Sequence, residues 1–214
     1  MPGREKKVVA FAVYPGVTPL DLVGPLTVLR NMPPYRTVVA GERIESLGTD
    51  TSLRLVPATT FREVPSPFAV IVPGGGAAAV RAVEDASLLA YVRAAAGTAE
   101  VVGATGNGAL ILAAAGLLAG RRAAVHWAYG EHLERLGARH ARERWVEDGK
   151  FLTAAGGSAG IDMILHLVAR LKGQSRARLA QLTAEYDPEP PFGAIDRSGP
   201  NTDLVGMLDA ARAR

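Results

Sequence analysis

Residues 101–116 read V-V-G-A-T-G-N-G-A-L-I-L-A-A-A-G. An apolar run stops at Thr105-Gly106-Asn107-Gly108 and passes straight into a helix of small residues. Strand, tight polar turn and helix in this order form a nucleophile-elbow layout, which presents the turn residue at the end of a sheet. The turn residue is Gly106, which has no side chain to attack with. Whatever the chain does, it does at an elbow without a nucleophile.

The remaining pattern supplies the sheet. Residues 7–13, 35–40 and 68–72 are short apolar runs, read as strands. Residues 20–31 read as a helix, with Thr18 as cap, Pro19 at the first helical position and Asp21 in the first turn. Gly24-Pro25 is expected to bend that helix or interrupt its first turn. Residues 43–57 alternate as a small hairpin or paired edge strands, and residues 85–96 form a helix stopped by Gly97. A short strand at 121–125 and an amphipathic helix at 128–136 follow. Residues 144–148 and 151–154 pair across Gly149-Lys150. Gly156-Gly157-Ser158 opens an apolar helix at 159–171. A helix at 175–184, an irregular proline-rich stretch at 185–200 and a last short helix at 204–213 complete the reading.

Strands and helices alternate, and the strands are apolar throughout. Such a chain builds a mostly parallel sheet with helices on both faces. Ligands in these folds bind at the carboxyl ends of the strands. The loops 15–21, 73–76 and 105–108 all follow strands and are expected to converge there. No repeat or linker divides residues 1–214, which are read as one domain.

Composition removes several chemistries. With no cysteine, the chain has no disulfide, thiolate metal site or cysteine nucleophile. The net charge is +3 with the arginines scattered, read as solvated surface and not a nucleic-acid interface. No apolar run approaches the ~20 residues of a membrane helix. The first residues lack a signal-peptide pattern, so a cytoplasmic protein is expected. No His/Asp/Glu cluster has metal-ligand spacing, and neither a dinucleotide nor a Walker pattern is present. We expect no metal and no cofactor.

Several motifs together resemble the DJ-1/PfpI superfamily, in particular its isonitrile-hydratase-like branch. They are Y-P-G-V-T-P-L-D-L-V-G-P at 14–25, V-P-G-G-G at 72–76, N-G-A-L-I-L-A-A-A-G-L-L-A-G-R-R-A at 107–123 and His126-Trp127. G-G-S-A-G-I-D-M at 156–163 and Y-D-P-E-P-P-F at 186–192 complete the set. The resemblance implies a flavodoxin-like three-layer α/β sandwich, a single domain of the glutamine-amidotransferase-like type, and commonly a homodimer. It also implies a cysteine at the elbow, commonly followed by Thr-Gly, where this chain has Gly106, Asn107 and Gly108. Thr105 stands where an aliphatic residue is usual. Glycine tolerates an elbow's strained dihedrals, so the missing side chain is expected to relax the turn and open space for a ligand.

The same resemblance aligns Asp21 with the family's acidic residue beside the nucleophile. A half-buried carboxyl there can act as general acid or base; otherwise it only favours a helix dipole. Asn107 can hydrogen-bond a substrate oxygen or cap the helix. Gly75 is the oxyanion donor the resemblance implies, with Gly76 beside it. Thr105 can turn its hydroxyl into the pocket. His126, Trp127 and Ser158 are further candidates for ligand contact, against packing for the first two and helix capping for the third. His132 and His140 read as surface residues and His166 as structural.

Three functions fit. One is an acid–base enzyme without covalent catalysis, of hydratase, lyase, isomerase or cyclase type, acting on a small organic molecule. The second is an inactive relative that binds a small molecule or regulates. The third is a Cys-to-Gly variant of an isonitrile hydratase.

Overall fold

The apolar runs become strands because both faces of each are buried, which residues 7–12 and 69–72 show residue by residue. In the computed structural model, which describes residues 6–30 and 32–195, Val9, Phe11, Ala69 and Ile71 face one core. Ala12, Val70 and Val72 face the other. A period of two with apolar residues in both phases is the mark of a covered parallel sheet.

The elements in order are β1 (Lys7–Ala12), α1 (Pro19–Leu29), β2 (Tyr35–Gly41), β3 (Leu47–Gly48), β4 (Arg54–Leu55) and β5 (Thr59–Thr60). Then come β6 (Ala69–Val72), α2 (Ala77–Ala82), α3 (Ala86–Thr98), β7 (Val101–Thr105) and α4 (Gly108–Ala114). The chain continues through β8 (Arg122–Ala123), α5 (Gly130–Arg135), β9 (Arg139–His140), β10 (Trp145–Asp148), β11 (Phe151–Ala154), α6 (Gly157–Lys172) and α7 (Gln174–Thr183). The main sheet runs β10-β11-β7-β6-β1-β2-β5. It is parallel except for β10, which pairs antiparallel with β11. Counting only its long parallel strands, the order is the 2-1-3-4-5 of flavodoxin-like folds, with the switch point between β1 and β6.

Helices α1, α6 and α7 cover one face around Phe11, Ile71, Met163, Ile164 and Leu167. Helices α2 to α5 cover the other around Leu88, Leu110, Ile111, Leu112 and Leu133. Each such fully buried side chain contributes about 1.5–3 kcal/mol. In the register, Phe11 lies beside Ile71 and Ile71 beside Gly103. The strands β1, β6 and β7 therefore end level, and their following loops meet.

Several local expectations change. α1 runs unbroken through Gly24 and Pro25, because the one bond that Pro25 removes is replaced from another strand, as described below. α3 passes through Gly97 and ends at Thr98. Its end is held by the Lys150 ammonium, which donates to the Ala96 and Ala99 carbonyls at 2.5 and 3.3 Å. α2 was not foreseen. The stretch at 128–136 begins as a 3-10 turn at Trp127–Tyr129. The helix expected at 204–213 lies outside the described residues. Among the described residues, no helix is long and apolar enough to cross a membrane.

Candidate active site

Gly106 follows β7 with φ +55°, a left-handed conformation that side chains disfavour. The turn thus keeps an elbow's geometry. The space above it is not open. A Cβ built on Gly106 would lie 2.3 Å from Oδ2 of Asp21. The expectation of added room for a ligand is corrected here, since the Asp21 carboxyl fills the position from which a side chain at 106 would project.

Asp21 comes from the first turn of α1 and is only 5% exposed. The Gly74 N–H donates to its Oδ2 at 3.0 Å. The Gly74 carbonyl in turn accepts from the Thr18 N–H at 2.7 Å, so this glycine joins the β6 loop to the start of α1 twice. A Cβ on Gly74 would stand 2.4 Å from Asp21 Oδ2, so only glycine permits the approach. Burial pushes the Asp21 carboxyl up from 3.8 to about 6. The Gly74 bond opposes that rise, nearby Asp50 adds to it, and the Thr105 hydroxyl opposes it.

Thr105, fully buried, does not turn its hydroxyl into a pocket. Its Oγ1 donates to the main-chain carbonyl of Asp21 at 3.0 Å. Asn107 precedes α4 but its side chain makes no capping bond. Instead its Oδ1 accepts from the Gly75 N–H at 3.0 Å, and its Nδ2 donates to the Gly76 carbonyl at 2.6 Å. The implied oxyanion donor, Gly75 N–H, is therefore engaged by Asn107. Tyr14, buried just after β1, donates from its hydroxyl to the Pro73 carbonyl at 2.9 Å. Burial first, then the charges of Asp21 and Asp50, raise the Tyr14 hydroxyl well above its ordinary value, so it stays a neutral donor.

The three strand-end loops thus meet, and they bring together Asp21, Gly75, Gly76, Thr105, Gly106 and Asn107. The other three candidates lie in a separate cleft of about 470 Å³, lined among others by Leu20, His126, Trp127, Gly157 and Ser158. Ser158 is inside the first turn of α6 and does not cap it; Gly156 holds the cap position and no side chain bonds there. The His126 ring nitrogen Nδ1 accepts from the Ala128 N–H at 3.4 Å, and the ring tilts against Trp127. Two residues connect cleft and elbow. Leu20, 53% exposed, and Gly157 both line the cleft. A Cβ on Gly157 would lie 2.6 Å from Leu20 Cγ and 2.8 Å from Asp21 Oδ1. The backbone of α6 therefore rests directly on the far oxygen of the carboxyl.

Sequence reasoning missed the roles of Gly74, Tyr14 and Pro25, and the cleft residues Glu131, Glu134 and Arg142. It also placed His140 on the surface, whereas this residue is half-buried in the cleft wall, where burial lowers its basicity. His166 pairs with Glu147 at 2.5 Å and packs on Trp145, across α6 and β10.

A family model described as the DJ-1/PfpI family matches residues 6–170. The chain is 39% identical over 206 residues to an isonitrile hydratase of Pseudomonas putida, covering 96% of this chain and 89% of that protein. The crystal structure of a ThiJ/PfpI family protein from Pseudomonas syringae superposes with a TM-score of 0.90 at 33% identity, covering 97% of this chain and 87% of that one. A shorter match, 40% identical over 80 residues, links 36% of this chain to 23% of the HTH-type transcriptional regulator CdhR of Pseudomonas aeruginosa.

Proposed function

The chain belongs to the DJ-1/PfpI family, and from that premise we propose that it is an acid–base enzyme acting on a small organic molecule, with Asp21 in place of a covalent nucleophile. The observation that carries the reading is the Asp21 carboxyl itself. It is buried at the elbow, seated where a side chain at position 106 would project, and pushed up to about 6. A carboxyl in that range holds or releases a proton near neutral pH, as a general acid or base requires. Hydration, dehydration, isomerisation and cyclisation all need that proton transfer. A thiol-dependent isonitrile hydration is not available to a chain without cysteine.

In this reading the body of the substrate occupies the cleft beside His126, Trp127 and Ser158, and its reacting end reaches Asp21 past Leu20 and Gly157. The Gly75 N–H leaves Asn107 Oδ1, and the Asn107 Nδ2 leaves the Gly76 carbonyl, to donate to a substrate oxygen as negative charge develops. Asp21→Asn keeps the shape and removes the titrating proton. Turnover should fall about 100-fold or more with circular dichroism unchanged; unaltered turnover would sink the proposal.

Two observations favour a second reading. The polar groups of Asn107, Gly75 and Gly76 satisfy one another, and the chain shares a segment with a transcriptional regulator. A binding or regulatory protein fits both facts. Incubation with metabolite mixtures separates the two readings, since a binder returns its ligand chemically unchanged. For assembly we propose a homodimer, supported by Leu20 and Val23, which expose apolar surface on α1.

A further inference from the structure

A proline in the interior of a helix removes the hydrogen bond to the carbonyl four residues back, and its ring pushes that carbonyl aside. In α1 the proline is Pro25 and the carbonyl is that of Asp21. An unpaired carbonyl at a buried position is costly. Here it is not unpaired. The hydroxyl of Thr105, reaching across from the end of β7, donates to it at 3.0 Å.

The surroundings are cut to fit this bond. Thr105 is wholly buried. A Cβ on Gly160 would lie 2.6 Å from the Thr105 methyl, so α6 leaves space for Thr105 by presenting glycine, and Pro25 Cγ lies at an ordinary packing distance of 3.5 Å from the same point. An isosteric valine at 105 fills the same space and makes no bond. The main-chain bond fixes the first turn of α1 against the elbow, and that turn carries the carboxyl that sits 2.3 Å from a Cβ built on Gly106.

We propose that Thr105 is the positioning residue for Asp21: it takes over the hydrogen bond that Pro25 cannot make and thereby seats the carboxyl above Gly106. The proposal rests on the reading that Asp21 is the working group. It concerns where the carboxyl sits and not what it does to a substrate, so the two can fail separately.

The test follows the Asp21 carboxyl by ¹³C NMR titration, with the Gly74 amide proton as a second reporter of the same bond. In the natural protein both signals should titrate together near pH 6. In Thr105→Val the first turn of α1 relaxes and the carboxyl moves toward water. Loss of the hydroxyl alone would raise the carboxyl, but exposure to water removes the larger effect of burial, so the midpoint should drop by one unit or more toward the ordinary aspartate value, and the Gly74 amide should cease to follow it. Thr105→Ser, which keeps the hydroxyl, should restore both signals. Pro25→Ala returns an N–H to the helix at the right place, so Thr105→Val made in that background should also titrate near 6. This double variant keeps the test decisive if Thr105→Val alone does not fold. A midpoint in Thr105→Val that stays near 6 or rises, with the Gly74 amide still coupled, overturns the proposal. So does a Pro25→Ala, Thr105→Val protein that folds but titrates in the ordinary range. Loss of turnover in Asp21→Asn bears on the acid–base reading alone.

Discussion

At the scale of single residues, the chain is governed by competition for one small volume. Gly106 and the Asp21 carboxyl cannot both carry bulk there, because a Cβ on the glycine meets Oδ2 at 2.3 Å. Gly106→Ala adds that collision to the strain of φ +55°. It should lower the unfolding free energy by about 1–3 kcal/mol, measured by urea denaturation. The ionisation of Asp21 also has a cost that pH reveals. The carboxyl is raised in the folded state, so the fold binds the proton more tightly than the unfolded chain does. Its contribution is fully present below the unfolded value of 3.8 and is lost as pH rises through about 6. That interval corresponds to ~3 kcal/mol. Relative to Asp21→Asn, the natural protein should therefore lose up to ~3 kcal/mol of stability between pH 4 and pH 7. A difference that stays flat over this range would show that the carboxyl titrates normally.

At the scale of elements, the site depends on how closely α6 lies on α1. Gly157 and Gly160 make that approach possible, one against Leu20 and Asp21, the other against Thr105. Gly157→Ala should cost about 1–3 kcal/mol, as other overpacked positions do, and should disturb the titration of Asp21 while leaving the sheet intact. This is also where the sequence was most and least legible. The strands, the order of loops and the meeting of Asp21 with the elbow were readable, because two-sided burial and strand-to-turn punctuation are local signals. The partners within the site were not. Pro25 reads as a helix breaker until Thr105, on another element, is known to replace its bond. The Gly75 N–H reads as a free donor until the Asn107 side chain turns back to it. His126, Trp127 and Ser158 read as candidate ligand contacts beside the elbow, yet they line a cleft that meets Asp21 through Leu20 and Gly157. Such pairings are decided by packing, which leaves no periodicity to read.

At the scale of the molecule, the sheet order sets the site at the switch point, and the two cores are complete without it. α1 helps to build the floor of the site and also exposes Leu20 and Val23 at its surface. If copies associate through that face, the cleft wall contributed by Leu20 becomes part of an interface. Sedimentation equilibrium should give twice the mass of one chain, and Val23→Glu should return it to a single chain with the fold preserved. A monomer at micromolar concentration would remove the proposed dimer.

The bond between Thr105 and the Asp21 carbonyl spans 84 residues of sequence. During synthesis at roughly 5–20 residues per second, the first strand and helix wait several seconds before that partner exists. α6, which closes over the same turn, arrives later still. The amino-terminal unit is made first and finished among the last. A nascent chain halted before β7 should thus leave the segment around Pro25 open to proteolysis, and one extended past α6 should protect it.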